Sequence, residues 1–575
     1  MYWVIYMYLR KTLHKKSGRI YLSIVKGYRD PKTKKVKQKL VKGIGYIDEL
    51  EKDFDDPIAH FKKVAKKMSL EEDEASRSLS FKFTVDEKID SSSVLRKNLG
   101  FSVLSYFYHK LDINNFFINR QRNLNIDYSL NDVFQLLVYA RVLFPCSKKN
   151  AFELKDDFFM DFNFEIFDVY RALDYFYHYK DDLLLRLHEN LRTVYGRNCS
   201  NVFYDVTNYY FEIDEPDSLR KKGVNKEHRP NPIVQMGLLM DEKGLPITYK
   251  LFEGNTNDCE TLMPVLDDVV EKYGLGKIIV VADKGMNSGE NIAYNILNKN
   301  GYIYSQTIRG ASQEMKNYVL SDEGYTVFDS GFKIKSRIIP TNITVTNTKG
   351  KKVKVPIDQK QVVFYNPDYA KRARAQRELA IEKAKKMISS TSKKLPLSGS
   401  AKYILSTPCD TDTGELYKET LNIHSLNNAK IEEEMKYDGY YAIVTSELNM
   451  SDGVIVDLYR GLWKIEDSFK ITKSQLKARP VFVSRKEHIE AHFLTCFVAL
   501  LLLRLVELET KGKYSTNVLV REMRNITGTY LDQNYYMLDH FNEVVKGLGD
   551  ITDIDFEKRF LTVGEIKNIL ASTKK

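Results

Sequence analysis

The spacing of apolar residues changes along the first third of the chain. Residues 17–47 alternate in part between apolar and polar and contain a turn signal at Asp30-Pro31, which predicts paired strands. From about 90 to 195, apolar residues recur at helical spacing, as in DVFQLLVYARVLF and DDLLLRLHENLRTVY. We therefore expect a small β-rich unit over 1–55 and a helical domain over 56–195.

The next stretch has the element order of an α/β protein. NVFYDVTNYYFE (201–212) is typical of a strand, and residues 232–254 are typical of two strands joined by a turn. An amphipathic helix is predicted over 260–274, and the short apolar run KIIVVADKG (277–285) after it is typical of a buried strand. Strand, hairpin, helix and strand in this order predict a mixed sheet.

The second half of the chain is first strand-rich and then helical. Strand patterns return between 311 and 445, interrupted by a basic helical run at Lys371–Lys386, and the pattern is strongly helical from 451 to 510. We therefore expect four further parts, namely a first core segment at 196–310, a β-rich segment with a basic helix at 311–445, a second core segment at 446–515 and a C-terminal region at 516–575.

Composition places the chain among soluble globular proteins of several domains. It has 575 residues, of which 43% are hydrophobic and 29% charged. The 88 Lys and Arg exceed the 77 Asp and Glu by 11, which permits nucleic-acid binding without requiring it. The longest apolar run, Phe493–Leu503, is shorter than the roughly 20 residues that span a bilayer, so we expect a buried helix there.

The five cysteines are scattered along the chain and form no CxxC pair. This usage argues against a zinc site or a disulfide framework and fits a reducing cytoplasm. The N-terminus is apolar and then basic, which is the reverse of a signal peptide.

Two aspartates follow apolar runs in the predicted core strands. Asp205 follows Val202-Phe203-Tyr204, and Asp283 follows the run Ile278–Ala282. A carboxylate so close to a buried strand is costly unless it is hydrogen bonded, paired or bound to a metal. Functional groups also collect at the carboxyl ends of strands in open α/β sheets. The alternative for each residue is an acid that caps or turns the chain at the end of a strand.

Glu466 is the third candidate acid, in the predicted helix YRGLWKIEDSFKITK. Tyr459, Glu466 and Lys473 are spaced seven apart, which is about two helical turns, so their side chains share one stripe. Asp467 competes for the acidic role but points about 100° away around the helix. The alternative is an exposed helix face that carries salt bridges.

Three carboxylates of this kind suit divalent ions. Mg²⁺ and Mn²⁺ prefer oxygen ligands, and three carboxylates can hold two ions roughly 4 Å apart. One ion activates the attacking oxygen and the other stabilises the leaving oxygen of an in-line displacement at phosphorus. Asp205, Asp283 and Glu466 together therefore predict a metal-dependent phosphoryl-transfer site that needs no nucleophilic Ser or Cys.

Three sequence blocks carry a resemblance to a known family. They are FYDVTNYYFE with Asp205, the segment from NKEHRPNPIVQMGLL to VVADKGM with Asp283, and YRGLWKIEDSFKITK with Glu466. Over residues 200–515 the chain resembles the DDE transposases of bacterial insertion sequences. Within them it resembles the insertion-sequence-four type, which has a Tyr-x2-Arg-x3-Glu-x6-Lys signature. The resemblance implies an α/β fold with an RNase H-like mixed-sheet core, interrupted by a β-rich insertion between the second aspartate and the glutamate.

The resemblance also assigns roles to single residues. It implies that the three acids are the catalytic metal ligands and that they hold two ions of Mg²⁺ or Mn²⁺. Tyr459 and Lys473 match the tyrosine and lysine that contact DNA near the scissile phosphate. The signature arginine falls at position 462, where this chain has Leu462, and Arg460 is a nearby substitute on another face of the helix.

Two further basic residues follow the helix of Glu466. Lys477 and Arg479 lie a few residues beyond Lys473 and are candidates for contacts to DNA phosphates. The alternative for both is an ordinary solvated surface.

The function implied by the resemblance is that of a cut-and-paste transposase in the cytoplasm of a bacterium or archaeon, acting on double-stranded DNA. A 3′-hydroxyl freed at the element end would attack target DNA without a covalent protein–DNA intermediate. We expect a homodimer, because two ends must be paired, and DNA binding by the helical domain. Two alternatives stay open: a non-catalytic DNA-binding protein derived from a transposase, which Leu462 favours, and an RNase H-like structure-specific nuclease.

Overall fold

A computed structural model describes residues 7–15, 17–29, 36–76, 86, 88, 95–223, 230–390, 399–408, 422–531 and 534–574. Contacts divide the chain into two units, Met1–Ser91 and Ser92–Lys575. The turn predicted at Asp30-Pro31 lies outside the described residues, and so does the part of the second sequence block at 225–229.

The N-terminal unit consists of an antiparallel sheet and a long helix. Its elements are, in chain order, β1 (Met7–Leu13), β2 (Ile20–Arg29), β3 (Val36–Tyr46), α1 (Ile47–Leu50) and α2 (Pro57–Ser76), with β2 between the other two strands. The strands expected over 17–47 are confirmed. We expected α2 at the start of the helical domain, but it lies in this unit because Ala65 packs against Met7 and Ile24 of the sheet.

The second unit begins with helices, as the apolar spacing predicts. After β4 (Arg96–Asn98) come α3 (Phe101–Lys110), α4 (Ile113–Gln121), α5 (Leu130–Leu143), α6 (Lys148–Glu153), α7 (Ile166–His178) and α8 (Lys180–Tyr195). Helices α3, α5 and α7 pack against a single long helix from much later in the chain, α16 (Lys486–Glu509). The helical block is therefore built around a helix that the sequence places in the core segment.

Helix α16 is the buried helix predicted around Phe493–Leu503. It is apolar on all sides, so it is stable only when every side is covered. The helical block covers one side, and β7 (Pro246–Glu253) of the central sheet contacts it as well. Within the described part of the chain it is the one helix long and apolar enough to cross a membrane, and it is wholly buried inside the protein.

The α/β core is a nine-stranded mixed sheet, as the element order predicts. Its first elements are β5 (Asn201–Tyr210), β6 (Ile233–Asp241), β7, α9 (Leu262–Tyr273), β8 (Ile279–Ala282), α10 (Gly289–Leu297) and β9 (Gly301–Gln306). Strands β5, β8 and β9 are parallel neighbours, whereas β6 and β7 are added antiparallel on the other side of β5. The sheet order in this part is β9-β8-β5-β6-β7.

The strand-rich segment expected over 311–445 continues the same sheet. It contains α11 (Gln313–Leu320), β10 (Thr326–Val327), β11 (Lys333–Thr346), β12 (Lys352–Tyr365), α12 (Pro367–Ser390), β13 (Ile404–Pro408), β14 (Asn422–Leu426), α13 (Asn428–Met435) and β15 (Tyr440–Thr445). Strand β15 pairs with β9, and β12, β11 and β10 follow outward from it. The helix predicted at Lys371–Lys386 is confirmed as the central part of α12.

Helices and short strands complete the chain, as the pattern from 451 onward predicts. They are α14 (Asp452–Arg460), α15 (Trp463–Ser474), α16, α17 (Thr516–Asn525), β16 (Thr527–Tyr530), β17 (Tyr535–Leu538), α18 (Glu543–Thr552), β18 (Phe560–Thr562) and α19 (Val563–Ser572). Strand β16 pairs with β4, so the C-terminal region closes back onto the start of this unit.

Candidate active site

Asp205 and Asp283 lie side by side on neighbouring parallel strands. Tyr204 of β5 is opposite Ala282 of β8, and each aspartate is the next residue. Continuing the register places the two residues opposite each other, on strands about 4.8 Å apart. Asp283 is at the end of its strand, as predicted. Asp205 is in the middle of β5, because β5 continues to Tyr210 in its pairing with β6.

The two aspartates differ in exposure and in local bonding. Asp205 is half-buried, whereas Asp283 is exposed. The carboxylate of Asp283 accepts a hydrogen bond from the backbone N–H of Gly285 at 2.8 Å, so it also caps the turn after β8. A cavity of about 320 Å³ opens next to this turn and is lined in part by Lys284, Asn287 and Ser305. Both the capping role and an open approach to Asp283 are therefore present.

Helix α15 covers the face of β5 on which Asp205 lies. Lys473 Nζ donates to Thr207 Oγ1 at 2.6 Å, and the hydroxyls of Thr472 and Tyr209 are 2.8 Å apart. Alternate residues of a strand share a face, so Asp205 faces the helix together with Thr207 and Tyr209. Lys473 therefore contacts the residue that is two positions from Asp205 on the same face of β5.

Glu466 is exposed in the first turn of α15, but its helix is not the single one we predicted. Helices α14 and α15 are separated at Gly461-Leu462, so Tyr459 belongs to a different helix from Glu466. The glycine allows a close approach to β5, since a Cβ atom there would lie 2.4 Å from Cζ of Phe203. The stripe of Tyr459, Glu466 and Lys473 is therefore interrupted where the chain meets the sheet.

Tyr459 lies close enough to both Asp283 and Glu466 for their charges to act on its phenol. The pKa of the Tyr459 phenol is raised to about 12, chiefly by burial, with the hydrogen bond to Ser305 lowering it and the negative charges of Asp283 and Glu466 contributing to the rise. Both acids thus lie within electrostatic range of one phenol, which stays protonated and can donate a hydrogen bond at neutral pH. Burial raises the pKa of Tyr441, on β15, and the charge of Glu466 adds a smaller contribution in the same direction.

The remaining side chains around Glu466 point elsewhere. Leu462, at the position of the signature arginine, is buried in the main hydrophobic core. Arg460 is exposed, lies 3.5 Å from Asp457 and stacks 5.2 Å above the ring of Phe332. Asp467, the competing acid, accepts from Arg504 of α16 at 3.0 Å, which places it on the α16 side of α15.

Lys477 and Arg479 lie on a turn that directly follows α15. Lys477 is exposed and has a left-handed backbone with φ of 42°. The guanidinium of Arg479 is 5.0 Å from the ring centre of Tyr210, the last residue of β5. Arg479 is thus presented next to the strand that carries Asp205, and Lys477 is exposed two residues before it on the same turn.

The carbonyl groups of this turn accept hydrogen bonds from buried basic side chains that the sequence did not reveal. Arg141 of α5 donates to the carbonyl oxygens of Leu476 and Lys477 at 3.2 and 3.3 Å. His492 Nε2 donates to the carbonyl of Ala478 at 2.9 Å, and Lys148 Nζ donates to His492 Nδ1 at 2.6 Å. We name Arg141, Lys148 and His492 the inner clamp.

The inner clamp is electrostatically unusual. Burial and the charge of Arg141 lower the pKa of Lys148 to about 7, and burial with these two cations lowers the pKa of His492 well below its ordinary value. Among the described residues, no carboxylate forms an ion pair with Arg141 or Lys148. Backbone carbonyls and a neutral imidazole are therefore the main compensation for two buried basic groups, which is a costly arrangement.

The donor chemistry of the three acids fits a hard divalent ion, since all supply carboxylate oxygens. Two are fixed side by side by the sheet, and the third lies on the helix that covers the same face of β5. Within the described ranges, however, no three His, Cys, Asp or Glu side chains are grouped closely enough to hold a metal ion. The structure thus gives the placement of the acids and no coordination geometry.

Two family models match the chain. One, described as Transposase DDE domain, covers residues 214–502, just over half of the chain. The chain belongs to the DDE transposases. The other, described as IS1634 family transposase, N-terminal domain, covers residues 9–78 of this transposase. Together they show an insertion-sequence transposase, an enzyme that cuts DNA and transfers its strands.

The matches cover the transposase unevenly. The DDE match contains Asp283 and Glu466 and begins nine residues after Asp205, whereas the N-terminal match covers nearly all of the three-stranded sheet and the whole of helix α2. No curated protein matches the transposase. The family depends on divalent metal ions, so the metal requirement predicted from the acids is supported at this level.

Proposed function

We propose that Asp205, Asp283 and Glu466 are the catalytic metal ligands of this transposase. The observation that carries the proposal is the register of β5 and β8, which sets the two aspartates side by side below α15. Bound divalent ions, Mg²⁺ or Mn²⁺ and two in number, would activate the attacking oxygen and stabilise the leaving oxygen at phosphorus. The exposure of Asp283 and Glu466 suits a substrate as large as a DNA duplex.

The sheet supports an RNase H-like core. Three antiparallel strands, β7, β6 and β5, are followed by two strands parallel to β5, and Glu466 comes from a helix after them. We infer that β10, β11, β12 and β15, with α12, are the family's β-rich insertion, built here as an extension of the core sheet.

We also assign the transposase to the insertion-sequence-four branch. Tyr459, Glu466 and Lys473 stand at the signature spacing, and Leu462 replaces its arginine. Since Leu462 is buried, we infer that the DNA contact of the missing arginine is supplied from another position. Arg460 is exposed and is the candidate nearest in sequence.

The chain's own basic and phenolic groups would hold the DNA beside the acids. Thr207 orients the Lys473 ammonium towards the acid-bearing face of β5, where it can bind the scissile phosphate. The protonated Tyr459 phenol can donate a hydrogen bond to a phosphate oxygen next to Asp283. Lys477 and Arg479, on the turn after α15, would bind phosphates further along the strand.

The expected assembly is a homodimer that pairs two element ends. We assign recognition of the ends to the helical domain, with the reaction taking place at the nucleoid in the cytoplasm. Cross-linking of two differently labelled end duplexes in one complex tests this assembly.

The test of the acids compares Glu466→Gln with Asp467→Asn. Both remove one negative charge from adjacent residues of α15, but Asp467 faces Arg504 rather than the site. With Mg²⁺ or Mn²⁺ and an end-containing duplex, we expect Glu466→Gln to lose cleavage and strand transfer by about 10²-fold or more and to bind Mn²⁺ more weakly. Asp467→Asn should stay within a few-fold of wild type. Undiminished cutting by Glu466→Gln would show that the assignment is wrong.

A further inference from the structure

The net charge of the transposase is concentrated in the N-terminal sheet. Residues 7–46 contain 13 Lys and Arg and a single acid, Asp30, so this segment has a formal charge of +12, whereas the whole chain has +11. The other 535 residues therefore sum to −1. The modest positive charge of the chain therefore comes from one strongly basic segment of 40 residues, since the charges of the remaining residues nearly cancel.

Three of these basic side chains lie on the side of the sheet that carries α2. Lys11 is two residues from Leu9 on β1, and on β3 the register places Lys42 opposite Ile24 and Lys39 opposite Lys26. Leu9 and Ile24 belong to the apolar cluster beneath α2, so residues two positions away or directly opposite share that face. The lysines on β1 and β3 therefore stand on the two edges of the sheet, on either side of the helix.

These edge lysines are available to a ligand. Lys11, Lys39 and Lys42 are all exposed. Among the described residues, no carboxylate lies within ion-pair distance of any of the three. Arg19 differs, because it pairs with Asp48 at 2.8 Å and stacks 3.9 Å above Tyr46 within the unit. Arg19 therefore stabilises the fold, whereas the edge lysines leave their charge for a partner.

We propose that this basic face, defined by Lys11, Lys39 and Lys42, binds the phosphate backbone of duplex DNA independently of base sequence. Duplex DNA has the complementary charge density, about one negative charge per 1.7 Å of axis. The proposal rests on the family's action on DNA and does not depend on the assignment of the three acids. It gives the N-terminal unit a binding role that we first expected of the helical domain alone.

The main alternative is a protective role for the same lysines. Charged residues on edge strands prevent one sheet from pairing with another, and β1 and β3 are both edges. That role needs few charges on each edge and does not explain why acids are almost excluded from all three strands and their connections. Residues 47–91 show the contrast, since they contain 13 acids and eight basic residues.

The experiment measures binding of the full chain to a duplex that lacks the element ends, over a range of salt concentrations. The test variant combines Lys11→Gln, Lys39→Gln and Lys42→Gln. The matched control combines three exposed lysines of the second unit, Lys299→Gln, Lys511→Gln and Lys567→Gln. Both variants lose three positive charges, so a difference between them reports position rather than net charge.

We expect the slope of log K against log salt to fall by about 2.7 in the test variant, because each phosphate contact contributes about 0.9. Between 50 and 200 mM salt, wild type should then lose about 40-fold more affinity than the test variant. The control should keep the wild-type slope. Equal slopes for test variant and wild type would overturn the proposal, and self-association of the test variant with unchanged DNA binding would establish the protective role instead.

Failure of the proposed catalytic site is distinguishable from failure of this inference. A cutting-competent Glu466→Gln would refute the acid assignment and leave the basic face unaffected. A wild-type slope in the lysine variant would refute the basic face and leave the acids unaffected.

Discussion

Lys148 of the inner clamp gives a sharp test of how the turn after α15 is held. Burial and the charge of Arg141 lower the pKa of Lys148 from 10.5 to about 7. Between these two values the unfolded chain binds one proton more than the folded chain. The free energy of unfolding therefore rises with pH in this window, by up to about 1.4 kcal/mol per pH unit.

The direction of this pH dependence follows from the protonation state of Lys148 that the folded protein favours. The folded protein favours neutral Lys148, so its penalty is absent above pH 10.5 and complete below about pH 7. The full penalty corresponds to about 5 kcal/mol, and about 2 kcal/mol of it is relieved between pH 7 and 9. These magnitudes exceed the effect of most surface substitutions.

The perturbation is Lys148→Met, which keeps an unbranched side chain and removes the titrating group. Denaturant unfolding of wild type and variant is compared at about pH 7, 8 and 9. We expect the stability of the variant relative to wild type to decline by about 2 kcal/mol over this range. The lost hydrogen bond to His492 shifts all values together and leaves the pH dependence unchanged.

Lys149→Met is the matched control, because Lys149 is the adjacent residue on α6 and is exposed. It should show no such pH dependence relative to wild type. If the difference between Lys148→Met and wild type is the same at every pH, Lys148 is not held as a buried, largely neutral amine and the reasoning is refuted.

Three further substitutions test the geometry around α15. Gly461→Ala should lower the rate of strand transfer, because the added Cβ would lie 2.4 Å from Cζ of Phe203. Combining it with Phe203→Leu should restore part of that rate, and steady-state strand-transfer assays measure both effects. Leu462→Arg should destabilise the protein by about 2 kcal/mol or more in thermal unfolding without raising activity, since it buries a charge. Arg141→Met should lower the slope of log K against log salt for DNA binding by up to about 1.8, because it frees the turn 476–479, which carries Lys477 and Arg479. An unchanged slope would show that the inner clamp does not support DNA binding.

The elements around the aspartates were predictable because they depend on local patterns. A short apolar run followed by Asp283 specifies a buried strand that ends at an acid, and the turn after β8 confirms it. The hairpin of β6 and β7 also follows from sequence, since two apolar segments flank a polar turn. Strand β5 was predictable as well, since a strand was expected over 201–212 and β5 is Asn201–Tyr210, whereas its pairing with β6 and β8 was not contained in the local pattern.

The arrangement of α14 and α15 depended on contacts that no local pattern contains. The seven-residue spacing of Tyr459, Glu466 and Lys473 assumes one straight helix. The break at Gly461 reflects the position of Phe203, more than 250 residues earlier in the chain. The inner clamp is similar, since Arg141 and His492 come from two distant helices and each looked like an ordinary helical residue.

The extension of the sheet also followed from long-range pairing. Strand patterns over 311–445 were correct as elements, and a separate β-rich module was the natural expectation. The register of Ala442 opposite Gln306 instead joins these strands to the core. Which partner an amphipathic strand selects depends on the edges available in the folded protein, and the sequence pattern of the strand alone does not contain this information.

The position of α16 has a consequence for how the transposase is made. Helices α3, α5 and α7 leave the ribosome long before Lys486–Glu509, the segment against which they pack. The 290 residues between Tyr195 and Lys486 take roughly 15–60 s to synthesise. For that time the apolar sides of the early helices lack their partner. A growing chain of this transposase should therefore be a chaperone client, and a transcript truncated before α16 should yield an aggregating fragment rather than a stable helical domain.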